Sequence, residues 1–279
     1  MDRASLLDAL HTDRFGRTLH VYDEVGSTNT EATVWARGEN VDPAPEGAVV
    51  LTEFQTAGRG RYGRSWSADA GRNLMLSVVL RPNLPPEQFG RVTIAAGVAV
   101  AETVASFVEP HPVTIKWPND ILLDGKKTCG MLLETSFGTN PNQPSSGAVI
   151  LGIGLNVNQT DFPPDLVDTA TSMRLATGRP LPRPTVFAKL LAELETRYDA
   201  MCNALSEPTR SVWAAYEGRL DRHGNAVTLR FAGTDRTVRG YVRGITDDGA
   251  LRLAPSPDAP AHEETVLHAG EVTSRAHGT

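Results

Sequence analysis

The chain has 279 residues, 40% of them hydrophobic and 22% charged, and a formal net charge of −6. That length suggests one large domain, or a large and a small one, with core enough to fold without disulfides or a structural metal. The acidic balance argues against a general nucleic-acid binder, and two cysteines, Cys129 and Cys202, are too few for a disulfide framework or a cysteine-based zinc site.

The first residues, MDRASLLDALHTD, contain no apolar secretory core. The most apolar stretch, 92–108, is interrupted by Glu102 and falls short of the ~18 uninterrupted apolar residues of a membrane span. With so few cysteines, the expectation is a soluble, cytoplasmic protein that crosses no membrane. The basic residues are unevenly chosen. There are 23 Arg and only four Lys (Lys116, Lys126, Lys127 and Lys189), and three of the four fall within twelve residues.

Taken in chain order, the pattern predicts a short strand at 19–23 and a helix reaching Arg37, capped by Thr28 or Asn29 and stopped by Gly38. β-branched apolar runs predict strands at 47–54 and 73–80. Pro85 and Pro86 mark a helix start, with apolar residues at helical spacing over 88–108. Further strands are predicted at 114–116, 121–123, 127–135 and 148–157, with a hairpin turn at Asp124-Gly125. A polar loop follows at 138–147, a Pro-rich connector at 180–184, and helices at 185–205 and near 210–216. Beyond Gly224 come short strands at 226–231, 237–245, 250–253 and 264–267, the signature of a small β-barrel. The fold class is therefore mixed α/β, with a boundary near 221 that separates residues 1–220 from 221–279.

Three segments carry chemistry. QTAGRGRYGRSW, residues 55–66, sets three glycines and three arginines between two strands. Glycines permit close backbone approach and N–H nests, and arginines give planar bidentate donors, so the segment reads as a cradle for phosphate or carboxylate. A solvated surface loop is the plainer reading. It is neither a Walker A motif nor a dinucleotide fingerprint. IKWPND, residues 115–120, ends a strand with a cation (Lys116), a stacking surface (Trp117), an amide (Asn119) and a carboxylate able to hold Mg²⁺ (Asp120), although a Pro-Asn-Asp turn needs no function.

In GKKTCGMLLE, residues 125–134, Lys126 is expected to face solvent and Cys129 to be packed. Alternation puts Lys127 on the face opposite Thr128, where it needs an anion: a ligand, or a protein carboxylate. GSTN (26–29) and GIGLNVN (152–158) are lesser signals, the first explained equally by capping or by a polar ligand.

Together, GSTN, QTAGRGRYGRSW, IKWPND, the Lys-x-x-Gly of KTCG (127–130) and GIGLNVN, in this order, resemble the blocks of the biotin protein ligases. The resemblance spans about residues 20–160. It implies a catalytic domain like those of class II aminoacyl-tRNA synthetases and biotin ligases, a mixed sheet with flanking helices, followed by a small SH3-like domain. It implies an enzyme that activates biotin with MgATP as biotinyl-5′-AMP, then passes the biotinyl group to a lysine on the biotin carboxyl carrier domain of acetyl-CoA carboxylase or a related carboxylase.

Carried over, Ser27, Thr28, Asn29, Gln55, Arg59, Gly60, Arg61 and Lys127 would contact biotin. Arg59, Arg61, Arg64, Trp66, Lys116, Asn119, Asp120 and Asn156 would bind ATP or the adenylate, with Arg61, Lys116 and Lys127 serving the chemistry. Magnesium would arrive with ATP, near Asp120. Tyr62 and Thr128 depart from the family pattern. About twenty residues precede the first strand, too few for the winged helix of repressor-type ligases, so no DNA binding is expected. A monomer and a homodimer remain open. The rival readings are a lipoate or octanoate ligase or transferase of related fold and, from another class, a nucleic-acid-binding module.

Overall fold

The computed structural model describes residues 1–38, 42–136, 147–202 and 207–273. The predicted loop at 138–147, save Gly147, and the predicted helix end at 205 lie outside these residues. A seven-stranded sheet is built from β1 (Leu19–Val25), β2 (Val49–Gln55), β3 (Leu74–Leu80), β4 (Val113–Lys116), β5 (Asp120–Leu123), β6 (Lys126–Ser136) and β7 (Ala148–Leu155). Their order is β1-β2-β3-β7-β6-β5-β4. Only β1 and β2 run parallel, so the sheet is mixed, and the predicted hairpin at Asp124-Gly125 joins β5 to β6 with both residues at positive φ (51° and 76°).

Alternation gives the sheet two unlike faces. One carries Leu51, Leu76, Val78, Leu151, Ile153 and Met131, all buried in the main core under α3 (Gly90–Val108), α5 (Arg183–Cys202) and α6 (Glu207–Gly218). The stretch Pro86–Val108 has the length and hydropathy of a membrane span, yet 72% of its most apolar window is buried inside the protein: it is the central core helix. On the opposite face β7 reads Ala148, Ile150, Gly152, Gly154. Its bulky half is covered by α2 (Thr28–Arg37) through Ala32 and Ala36, and its glycine half is left without side chains. This gradient of side-chain size along one strand decides where a helix packs and where a cavity opens.

The C-terminal strands β8 (Ala226–Arg230), β9 (Thr237–Ile245), β10 (Leu251–Ala254), β11 (Thr265–Leu267) and β12 (Glu271–Thr273) form an antiparallel sheet of order β11-β10-β9-β8-β12, consistent with an SH3-like domain. Trp117 corrects an expectation. Read as a stacking surface, it is instead buried in the core, and its indole N–H donates to the Gly249 carbonyl (2.9 Å). Trp213 of α6 does the same toward Thr246 (3.1 Å), so one indole just before β5 and one on α6 both fasten the C-terminal sheet. The short helices α1 (Arg3–Ala9) and α4 (Met173–Thr177), and β12, were not anticipated. The cap of α2 is also displaced by one residue, since Ser27 occupies the N-cap position.

Candidate active site

The glycine half of the sheet floors a cavity of about 920 Å³. Each of the five motifs reaches it by a different element. Ser27, Thr28 and Asn29 come from the first turn of α2, and Gln55 from the end of β2. Arg59, Gly60, Arg61, Arg64 and Trp66 come from the loop between β2 and β3. Lys116 ends β4, Asp120 opens β5 with Asn119 just before it, Lys127 lies on β6, and Asn156 follows β7. Every residue assigned above to biotin, to ATP or to the chemistry therefore lines one cavity.

Helix capping does not account for the GSTN hydroxyls. The Ser27 side chain makes no capping hydrogen bond, and the Thr28 N–H is satisfied from outside the helix by the Gln55 side-chain carbonyl (2.8 Å). Glycine is required in the floor for space. A Cβ at Gly154 would lie 2.4 Å from the Trp66 ring, and one at Gly152 would lie 2.3 Å from Asn29 Oδ1. Gly130 stands opposite Gly154 on β6, so Trp66 lies flat across a strand pair with no side chains beneath it. The buried Nε1 of Trp66 has no partner among the described residues.

The cations are held by protein groups. Lys127 pairs with Asp120 (2.7 Å), which answers the question of its anion with a protein carboxylate. Its ammonium also lies 5.8 Å from the Trp66 ring centre. Arg61 donates to Asn119 Oδ1 (3.1 Å) and to the Tyr62 hydroxyl (2.7 Å), while its guanidinium lies 4.7 Å from the Tyr62 ring. Tyr62 thus offers a surface on which arginine rests, at the cost of a left-handed backbone (φ 59°). Arg59 pairs with Glu134 (2.9 Å), and Arg64 forms a bidentate pair with Glu271 of β12. Burial raises the pKa of Glu271, but the Arg64 guanidinium outweighs it, with help from Lys116 and Lys127, and holds the carboxyl below its ordinary value.

Other side chains of the motifs are tied into the protein by packing or hydrogen bonds. Cys129 is fully buried, which pushes its thiol pKa up and leaves it a packed residue as expected. The Asn156 amide donates to the Thr171 carbonyl (3.0 Å), and exposed Lys126 to that of Val167 (3.2 Å). The sequence reading missed Ser77, Glu134, Glu271 and the segment 161–170, whose Phe162 and Leu166 line the cavity. Ser77 carried a signal as a polar intrusion in an apolar strand, and Glu134 as the charge that closes the apolar run 131–133. Among the described residues, no three His, Cys, Asp or Glu side chains gather as a metal site.

A cavity lined by arginines and lysines on a glycine-floored sheet has the chemistry of a site for anionic ligands. Residues 23–156 match the profile of the biotin/lipoate A/B protein ligase family. The chain is 37% identical over 259 residues to the biotin--[acetyl-CoA-carboxylase] ligase of Mycobacterium tuberculosis, covering 91% of this chain and 90% of that one. It is 36% identical over 247 residues to the bifunctional ligase/repressor BirA of Bacillus subtilis, covering 88% and 71%. The biotin protein ligase of Aquifex aeolicus, solved in complex with biotin and ATP, superposes with a TM-score of 0.73 at 25% identity, covering 92% of this chain and 98% of that one. The chain belongs to the biotin protein ligases.

Proposed function

We propose that this chain is an ATP-dependent ligase that activates biotin as biotinyl-5′-AMP and transfers the biotinyl group to a lysine of a biotin carboxyl carrier domain. The observation that carries this reading is the convergence of Arg59, Arg61, Arg64, Lys116 and Lys127 on one glycine-floored cavity. In the first step a biotin carboxylate oxygen attacks the α-phosphorus of ATP, the bond to the β-phosphate oxygen breaks, and pyrophosphate leaves with the electron pair. Two anions must meet, so fixed positive charge is the main catalytic requirement. Arg61 and Lys127, with Lys116, supply it. In the second step the neutral amine of the acceptor lysine attacks the acyl carbon, AMP departs, and the amine proton is lost to solvent.

The Lys127–Asp120 pair suits an exchange of partners. Once a substrate carboxylate takes Lys127, Asp120 would be free to hold the magnesium that accompanies ATP, which would supply further positive charge to the phosphates; one carboxylate plus phosphate oxygens is an ordinary magnesium environment. Ser27, Thr28 and Gln55 then meet the polar ring of biotin, Trp66 and Asn119 flank the nucleotide, and the arginine loop covers the anhydride against water. Residues 1–220 act as the catalytic unit and 221–279 as a small C-terminal unit that also reaches the loop through Glu271. The acceptor is the carrier domain of acetyl-CoA carboxylase or a related carboxylase, met in the cytoplasm.

The test is pyrophosphate release from MgATP with biotin or with lipoate, together with thermal unfolding. Biotin should drive release, and biotin plus MgATP should stabilise the fold beyond either alone. Release with lipoate only would overturn the reading.

A further inference from the structure

Two separate elements converge on Glu134, a residue of β6. Its Oε2 accepts from Asn29 Nδ2 at the start of α2 (2.6 Å) and from Arg59 Nη2 in the loop (2.9 Å). Asn29 is only 4% exposed, and its amide is fully engaged: Oδ1 accepts from Ser77 Oγ (2.6 Å), and Nδ2 also reaches the Leu132 carbonyl (3.5 Å). The orientation of the amide is therefore fixed, with its donor toward Glu134 and its acceptor toward Ser77. Ser77 Oγ also lies 2.8 Å from Thr28 Oγ1, which lies 3.2 Å from Gln55 Oε1. The polar groups form one continuous chain, Gln55–Thr28–Ser77–Asn29–Glu134–Arg59. Its two ends lie four residues apart in sequence, on either side of the base of the arginine loop.

We propose that Glu134 is a positioning residue that couples the ring end of the biotin pocket to that loop. Asn29 serves it as a strut, and Arg59 is drawn to it across the pocket. The loop is thereby anchored at its base, ahead of the contacts that hold Arg61 to Asn119 and Arg64 to Glu271 further along it. This rests on the biotin-ligase reading. The Arg59–Glu134 pair is partly solvated, with the side chains 48% and 34% exposed, so its loss should affect retention of biotin more than the fold.

Glu134→Gln keeps the shape and an acceptor for Asn29 but removes the charge. It should release biotin about fivefold faster, the upper range for an exposed ion pair. The KM for ATP and the unfolding temperature should not move, and Glu134→Asp should restore part of the retention. Arg59→Gln alone should reproduce the faster release, and the double variant should be no faster than either single one. Unchanged biotin release in Arg59→Gln or in folded Glu134→Gln, a rise in the KM for ATP in Glu134→Gln, or multiplying effects in the double variant would each overturn the coupling. Wild-type protein that releases no pyrophosphate with biotin and ATP would instead refute the functional reading itself.

Discussion

Gly154→Ala tests the idea that the bare floor of the sheet sets the position of the nucleotide. The added Cβ would lie 2.4, 2.7 and 2.8 Å from three atoms of the Trp66 indole, where ordinary contact begins at 3.4 Å. The indole must therefore retreat by at least 1.0 Å (3.4 − 2.4). The backbone at 154 is ordinary strand within a fully paired β7, so alanine strains nothing there. Removing a glycine favours the fold by about 0.4–1 kcal/mol, and overpacking opposes it by about 1–3 kcal/mol, for a net loss of about 0–2.6 kcal/mol. A shift of ~1 Å in a positioning group can cost roughly 10²-fold in rate. The expected outcome is a nearly normal unfolding temperature with biotin-dependent pyrophosphate release down about 100-fold and a raised KM for ATP. Gly152→Ala, whose Cβ meets Asn29 Oδ1 at 2.3 Å, should act on the KM for biotin instead. Full activity in a folded Gly154→Ala protein, or both variants acting on the same substrate, would refute the division of the floor.

Lys127→Ala should raise the KM for biotin about 10- to 100-fold, the worth of a charged hydrogen bond at ~1.5–3 kcal/mol, and change that for ATP far less. Steady-state kinetics with each substrate varied would show the reverse if Lys127 served the nucleotide. Glu271 predicts a pH effect. Its pKa is depressed by Arg64 against the upward pull of burial. The stabilisation is therefore complete above the ordinary value of 4.5 and is lost as pH falls through the lower folded value. The stability gap between wild type and Glu271→Gln should narrow on acidification, and a gap that stays constant in denaturant titrations would exclude this role.

Local rules carried the sequence reading a long way. The strand predicted at 237–245, set off by turns, coincides with β9, and Asp124-Gly125 adopts the left-handed turn its residue types demand. The five motifs were legible because close backbone approach, anion binding and stacking each require particular residue types. Failures have a common cause in distance along the chain. Trp117 looked available because nothing near it in sequence announces a cover, and that cover is Gly249, 132 residues away. Ser77 was visible as an oddity in an apolar strand and Glu134 as the charge closing an apolar run, but their partners Asn29 and Arg59 lie 48 and 75 residues off. α1, α4 and β12 are seven, five and three residues long, too short for periodicity to register.

The ion pair between Arg64 and Glu271 joins residues 207 positions apart. On the ribosome, the arginine loop and all five motifs emerge long before β12. A nascent chain thus carries every residue assigned to chemistry while the loop still lacks its anchor in the C-terminal sheet. Completion of the last strand is in this sense a timer: it sets the moment in biosynthesis at which the loop acquires its full set of partners.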